Sequence, residues 1–195
     1  MTQQDWRHNL GDVFTRPIGR LLARTPITPD MLTWVGLLFS IGALVLLLNE
    51  QVRWAGVVVV VGALFDLLDG ALARAANLVT RFGGILDSTL DRLTEGIVLT
   101  GIVFVMARSG STFGATLAAA ALVLSFTVSY IRSRAEAAGI PCTDGWFTRL
   151  ERIIILAAGL IFNQIIMALI LITILSGFTA TQRLLVVWQR ARGQS

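Results

Sequence analysis

Charge is scarce in this chain. Of 195 residues only 14% are charged, against 55% apolar, where a water-soluble domain carries about 25% charged residues. That deficit excludes an ordinary soluble domain, and it excludes disorder, which needs a solvated polar chain. Lysine is absent, so all sixteen basic residues are arginine, and there is one cysteine, one histidine and one tyrosine. A single Cys142 excludes an internal disulfide and a cysteine-based zinc cluster. The net charge of +4 would suit nucleic acid, but the arginines sit beside apolar runs and no nucleic-acid motif is present. No Gly-rich phosphate loop, nucleophilic triad or internal repeat appears either.

What is present is hydrocarbon. Crossing about 30 Å of bilayer core takes roughly 20 apolar residues. Residues 31–49 and 109–131 are uncharged runs of that kind. Residues 153–182 are uncharged for too long to be one span and break most naturally at Asn163-Gln164. Two further apolar segments carry charges within them. The expected architecture is all-α, with six transmembrane helices near 31–49, 54–75, 84–107, 112–135, 146–162 and 165–188. Residues 4–24 read as an amphipathic helix lying on the membrane surface, with Leu10, Val13, Phe14, Ile18, Leu21 and Leu22 at helical spacing among arginines. The whole chain, 1–195, reads as one domain.

The arginines orient it. Thirteen fall in the N-terminal segment, the 74–81 connection, the 132–152 region and the C-terminal end, whereas Arg53 and Arg108 lie on the other side. This bias places both termini in the cytoplasm and the protein in the cell membrane.

Acids inside a membrane are costly and mark function. Asp66 and Asp69 are three residues apart on one helical face, and Asp87 and Asp91 are four apart on the next helix. A turn near 77–81 brings both pairs to similar depth. Four converging carboxylates need cations, and an all-oxygen set suits Mg²⁺, Mn²⁺ or Ca²⁺. Two such ions bridged by carboxylates form a phosphoryl-transfer centre. A structural ion cluster or the ion path of a transporter are the alternatives. Acids scattered over several helices would fit transport better than two pairs on one hairpin.

The run Asp66-x2-Asp69-Gly70-x2-Ala73-Arg74-x8-Gly83-x3-Asp87-x3-Asp91 resembles the signature of the CDP-alcohol phosphotransferase family at every fixed position. The resemblance implies a six-span enzyme that uses an acceptor hydroxyl to displace CMP from a CDP-linked lipid such as CDP-diacylglycerol. It implies that Asp66, Asp69 and Asp87 bind Mg²⁺ or Mn²⁺, with two ions expected, and that Asp91 is the general base and also touches the second ion. It places Gly70, Ala73, Arg74 and Gly83, with Asp66, against the nucleotide. Asp30 and Thr33, before the first span, join them by position; Asp30 equally reads as a helix cap after Pro29.

A second segment, Tyr130-x-Arg132-x-Arg134-Ala135-Glu136-x2-Gly139 with Arg149-Leu150-Glu151-Arg152 after it, resembles the phosphatidylinositol-phosphate synthase branch of that family. There the acceptor is inositol phosphate, and Arg132, Arg134, Arg152 and Arg183 would hold its phosphate, as arginine forks do. Arg132 stands where lysine is common, and Leu150 where proline is. Glycerol 3-phosphate or another polar alcohol is the alternative acceptor, although the Gly-Lys-x-Lys-Thr stretch of glycerophosphate-accepting relatives is missing. Glu136, four residues after Arg132, is placed to hold it. Arg149 reads as a lipid anchor or a partner of Glu151. Arg92 and Glu95 read as a pair within one helix or as support for Asp91. The expected partners are the CDP-lipid, inositol phosphate, membrane lipids and, from the resemblance, a second copy of the chain.

Overall fold

The computed structural model describes residues 18, 19, 21–142 and 145–192. Among them are six α-helices and no strand: α1 (Pro29–Leu48), α2 (Val52–Ala75), α3 (Arg81–Arg108), α4 (Thr112–Ala137), α5 (Arg149–Ile161) and α6 (Ile165–Arg192). Most of the expected surface helix at 4–24 lies outside the described residues. Its last turn is helical and sets Gly19 against α2, where a Cβ would fall 2.8 Å from the Ala71 carbonyl oxygen.

Four helices, α1, α2, α4 and α6, are long and apolar enough to cross a bilayer. Helix α3 has the length, at 28 residues, but carries Asp87, Asp91, Arg92 and Glu95. Helix α5 has 13 residues, about 20 Å at 1.5 Å per residue, and is shorter than the expected 146–162. The break between α5 and α6 falls at Asn163-Gln164, as the sequence implies.

One device ends five of the helices. Glu50, Asn77, Gly110, Gly139 and Asn163 all take positive φ just past a helix end. In each case the next N–H donates back five residues, as from Leu78 to the Ala73 carbonyl and from Gln164 to that of Gly159. This left-handed stop satisfies carbonyls that lipid could not. It also keeps three connections tight, so consecutive helices run antiparallel. Side chains cap the starts of α1, α3 and α4, though not that of α2. Thr28, not Asp30, caps α1: its Oγ1 accepts from the Met31 N–H, Pro29 takes the first helical position, and Asp30 sits in the first turn. Proline suits that position because its missing N–H is not needed there. Thr80 caps α3 through the Gly83 N–H at 2.9 Å.

Neighbouring helices close a ring in the order α1, α2, α5, α6, α4, α3 and back to α1. Leu47, Val59, Leu99, Ile102, Leu156, Leu160 and Leu169 fill its far half. Lipid-facing positions stay apolar: Leu38, Val45, Phe104, Val123, Ile174 and Phe178 are exposed. Small residues bring backbones together, as membrane helices require. A Cβ on Gly56 would lie 2.8 Å from Leu160 Cβ and 2.9 Å from the Ile161 nitrogen. Gly56→Val therefore forces α2 off α5, an overpacking expected to cost about 1–3 kcal/mol. Thermal unfolding in detergent should show the loss, whereas Gly84→Ala, with no atom within 4 Å of its Cβ, should melt as wild type does.

Candidate active site

The polar residues gather at the other half of the ring, where α2 ends and α3 begins. Asp66, Asp69 and Asp87 each offer a carboxylate oxygen, and the three oxygens lie within 4.8 Å of one another. Asp69 is the deepest, 5% exposed. It accepts a hydrogen bond from Thr33 Oγ1 on α1 at 2.7 Å, which fixes its carboxylate. Such an oxygen-only trio fits a hard divalent cation by its donor chemistry. Asp91 stands beside the trio. Its Oδ1 lies 2.5 Å from Arg149 Nη1, and that same nitrogen donates to Asp66 Oδ2, also at 2.5 Å. Arg149 Nη2 donates to Thr94 Oγ1 at 3.1 Å.

Two small-residue approaches border the trio. A Cβ on Gly70 would lie 3.3 Å from Arg74 Nη1, so the Arg74 guanidinium folds back over Gly70. A Cβ on Gly83 would lie 2.9 Å from Thr80 Oγ1 and 3.7 Å from Asp30 Oδ1, so the α1 and α3 starts meet there. Ala73, half-buried one turn after Asp69, supplies the carbonyl that stops α2. Beneath the acids lies a small, mostly apolar cavity of about 40 Å³, walled by Val59, Leu90, Val98 and Leu156 and bordered by Thr33, Asp66, Glu95 and Arg149.

The four arginines read from the sequence as phosphate ligands divide into two kinds. Arg132 and Arg134 are exposed at the end of α4, with Arg132 Nε donating to Glu136 at 2.8 Å as the four-residue spacing implies. Arg183 is buried, its Nη1 donating to the Val128 carbonyl at 2.7 Å. Gly145, at φ +139°, lies against it: a Cβ there would fall 2.9 Å from Arg183 Nε. Arg132 and Arg152 are both near enough to repel Arg183.

Arg152 departs from the expectation. Its Nε and Nη2 donate to the two oxygens of Glu95 at 2.6 and 2.8 Å, and it is 2% exposed. That fork is already spent on a carboxylate, because a buried guanidinium needs a counter-charge. Glu95 thus serves α5, not its own helix. Arg92 likewise turns elsewhere, to the Ser88 carbonyl and to Ser133 Oγ on α4. Arg149 is no lipid anchor, and Glu151 is not its partner: Glu151 accepts from the Thr148 N–H in a capping box that starts α5. Arg149 and Arg152 are three apart, on one face of α5, and that face points across the ring at Asp91 and Glu95 on α3. The spacing was visible in the sequence; the opposing helix was not.

The model of the family described as CDP-alcohol phosphatidyltransferase matches residues 26–186. The chain belongs to this family. An archaetidylinositol phosphate synthase from Methanothermobacter thermautotrophicus is 36% identical over 186 residues, covering 92% of this chain and 93% of that protein. A protein of the same description from Pyrococcus horikoshii is 40% identical over 168 residues, covering 85% and 86%. Among solved structures, Mycobacterium tuberculosis phosphatidylinositol phosphate synthase with CDP-DAG bound superposes with a TM-score of 0.81 at 35% identity, covering 89% of this chain and 93% of that one. The same synthase with manganese and citrate gives 0.79 at 35% identity, covering 89% and 88%. The protein is accordingly a multi-pass membrane transferase of phospholipid biosynthesis, with an aspartate trio that could hold a divalent ion.

The buried pair gives a stability test. Glu95→Gln strips the charge from the carboxylate that pairs with Arg152 and should destabilise by about 3–5 kcal/mol. The double change Glu95→Leu with Arg152→Met should recover most of that in chemical unfolding, and a double variant no more stable than Glu95→Gln would contradict the assignment.

Proposed function

We propose that this phosphatidyltransferase moves the phosphatidyl group, or its diether-lipid equivalent, from CDP-diacylglycerol or a related CDP-lipid to inositol phosphate and releases CMP. The observation that carries the proposal is the meeting of Asp66, Asp69 and Asp87 within 4.8 Å, with Asp91 beside them. It is supported by the inositol phosphate synthases that the chain resembles over most of its length. Acids collected at one end of one helix pair do not form a path across the bilayer, which argues against a transporter.

The roles follow from position. Asp66, Asp69 and Asp87 would hold Mg²⁺ or Mn²⁺, two ions in all with Asp91 touching the second. Divalent ions there would supply charge neutralisation for the pyrophosphate and the leaving CMP. Gly70, Ala73, Arg74 and Gly83, with Asp30, Thr33 and Asp66, line the nucleotide's place, where missing side chains let the cytidine phosphates approach the backbone. Arg132, Arg134 and Arg183 hold the acceptor's phosphate, with Arg132 released from Glu136 to do so; Arg152 adds positive charge from beneath while bound to Glu95. The acceptor hydroxyl then faces Asp91. Its oxygen attacks the lipid-linked phosphorus, its proton passes to Asp91, and the bond to CMP breaks. The lipid chains remain in the bilayer throughout.

The whole chain acts as a single domain with six spans, α3 and α5 crossing with the other four. Helix α3 crosses despite its charges because Asp87, Asp91 and Glu95 face the ring's interior and Arg92 turns onto α4. The arginine bias sets the site and both termini toward the cytoplasm, in the cell membrane. A homodimer is the expected assembly.

Incubating purified protein with CDP-diacylglycerol, Mg²⁺ and a panel of acceptors tests the reaction. CMP should appear with inositol phosphate and not with glycerol 3-phosphate or unphosphorylated inositol. CMP with glycerol 3-phosphate alone would overturn the acceptor, and none with any acceptor would overturn the reaction. Asp91→Asn should lower turnover by about 10²–10⁴-fold while CDP-lipid still binds; near-normal turnover removes Asp91 as base. Arg183→Ala should raise the acceptor KM by roughly tenfold or more with little change in the KM for CDP-lipid, and equal changes in both would place Arg183 outside the acceptor pocket.

A further inference from the structure

Arg149 sits where two demands collide. Its Nη1 is 2.5 Å from Asp66 Oδ2, an oxygen of the trio, and 2.5 Å from Asp91 Oδ1, outside the trio. The contact to Asp66 is a hydrogen bond, whereas Asp91 Oδ1 is an ion-pair partner without hydrogen-bond geometry. Arg149 Nε is buried and makes no hydrogen bond. The guanidinium is therefore held mainly by charge, at one end of a side chain whose remaining donors are incompletely used. Arginine stays protonated here, so its positive charge is permanent.

A cation that binds the trio must share Asp66 with this guanidinium. Two positive groups cannot both occupy close range of one carboxylate oxygen without strong repulsion in a medium of low dielectric. We propose that Arg149 is an exchangeable counter-cation. It ties Asp66 to Asp91 while the trio is empty, and it yields Asp66 when a divalent ion binds.

The proposal rests on the metal-binding reading above and deepens it. Two consequences follow for the chain itself. Without an ion, one guanidinium bridges two of the four clustered carboxylates, Asp66 and Asp91, rather than letting them splay apart. With the trio filled, Arg149 has let go of Asp66, which frees that carboxylate for the ion. Arg149 acts through Asp66 and Asp91, and so is a positioning residue. Its anchor is Thr94, whose Oγ1 accepts from Nη2 at 3.1 Å and itself donates to the Asp91 main-chain carbonyl at 2.9 Å.

The test measures ion binding rather than turnover. The full-length protein in detergent is titrated with MnCl2 by calorimetry, as wild type, Arg149→Gln, Arg149→Lys and Thr94→Val. Removing the charge in Arg149→Gln should tighten Mn²⁺ binding on the order of tenfold. Its ion-free form should melt below wild type, and saturating Mn²⁺ should raise its melting temperature more than it raises that of wild type. Arg149→Lys keeps the charge and should stay within about threefold of wild type. Thr94→Val loosens the guanidinium without removing it and should tighten binding by about threefold. Equal or weaker Mn²⁺ binding by folded Arg149→Gln overturns the proposal. Should that variant not fold, Thr94→Val with wild-type affinity overturns it. A wild type that binds no Mn²⁺ removes the metal reading itself, so the two failures are told apart.

Discussion

Negative charge held inside a membrane is the constraint that organises this protein. Asp66, Asp69, Asp87 and Asp91 lie where each ionised carboxylate is expensive. The rest of the site is arranged to make their proximity bearable. Thr33 donates to the deepest of them. Arg149 reaches from α5 to two of them. The remaining deficit of positive charge is what makes the trio fit a divalent ion.

The ring of helices follows from the same need. Consecutive helices turn back sharply because each ends on a left-handed residue that closes its own carbonyls. The long connection, residues 138–148, is the exception, and it lets α5 insert between α2 and α6 instead of lying beside α4. That insertion aims Arg149 and Arg152 across the ring at α3. Two cross-ring links result, Arg149 with Asp66 and Asp91, and Arg152 with Glu95. The first meets the reacting groups. The second lies deeper, is almost fully enclosed, and fixes the register of α5 so that the first can form. Charge pairing here specifies which helix faces which, a role apolar packing alone fills poorly.

Much of this was legible in the sequence because it depends on local spacing. Acids at three- and four-residue intervals must share a helical face, and the 66–91 run identified both the pairing helices and their depth. The Asn163-Gln164 break was legible because thirty uncharged residues exceed one span. Thr28 as the α1 cap was also within reach, since Pro29 fits the first helical position and leaves the preceding threonine as cap. The partners of Arg149 and Arg152 were not legible. Both could be placed on one face of α5, but nothing in local periodicity says that α3 lies opposite. Glu95 and Arg152 are 57 residues apart, and their meeting depends on the order of helices around the ring. The same limit holds for Arg152: its residue type fits a phosphate ligand, and only the fold shows one edge of its guanidinium resting on Glu95.

The central claim is that Asp66, Asp69 and Asp87 form one divalent-ion site between α2 and α3. Crystals of the protein grown with Mn²⁺ and measured for anomalous scattering test it most directly. The account predicts an anomalous peak enclosed by these three carboxylates. A peak elsewhere in the protein, with the trio empty at saturating Mn²⁺, would contradict it.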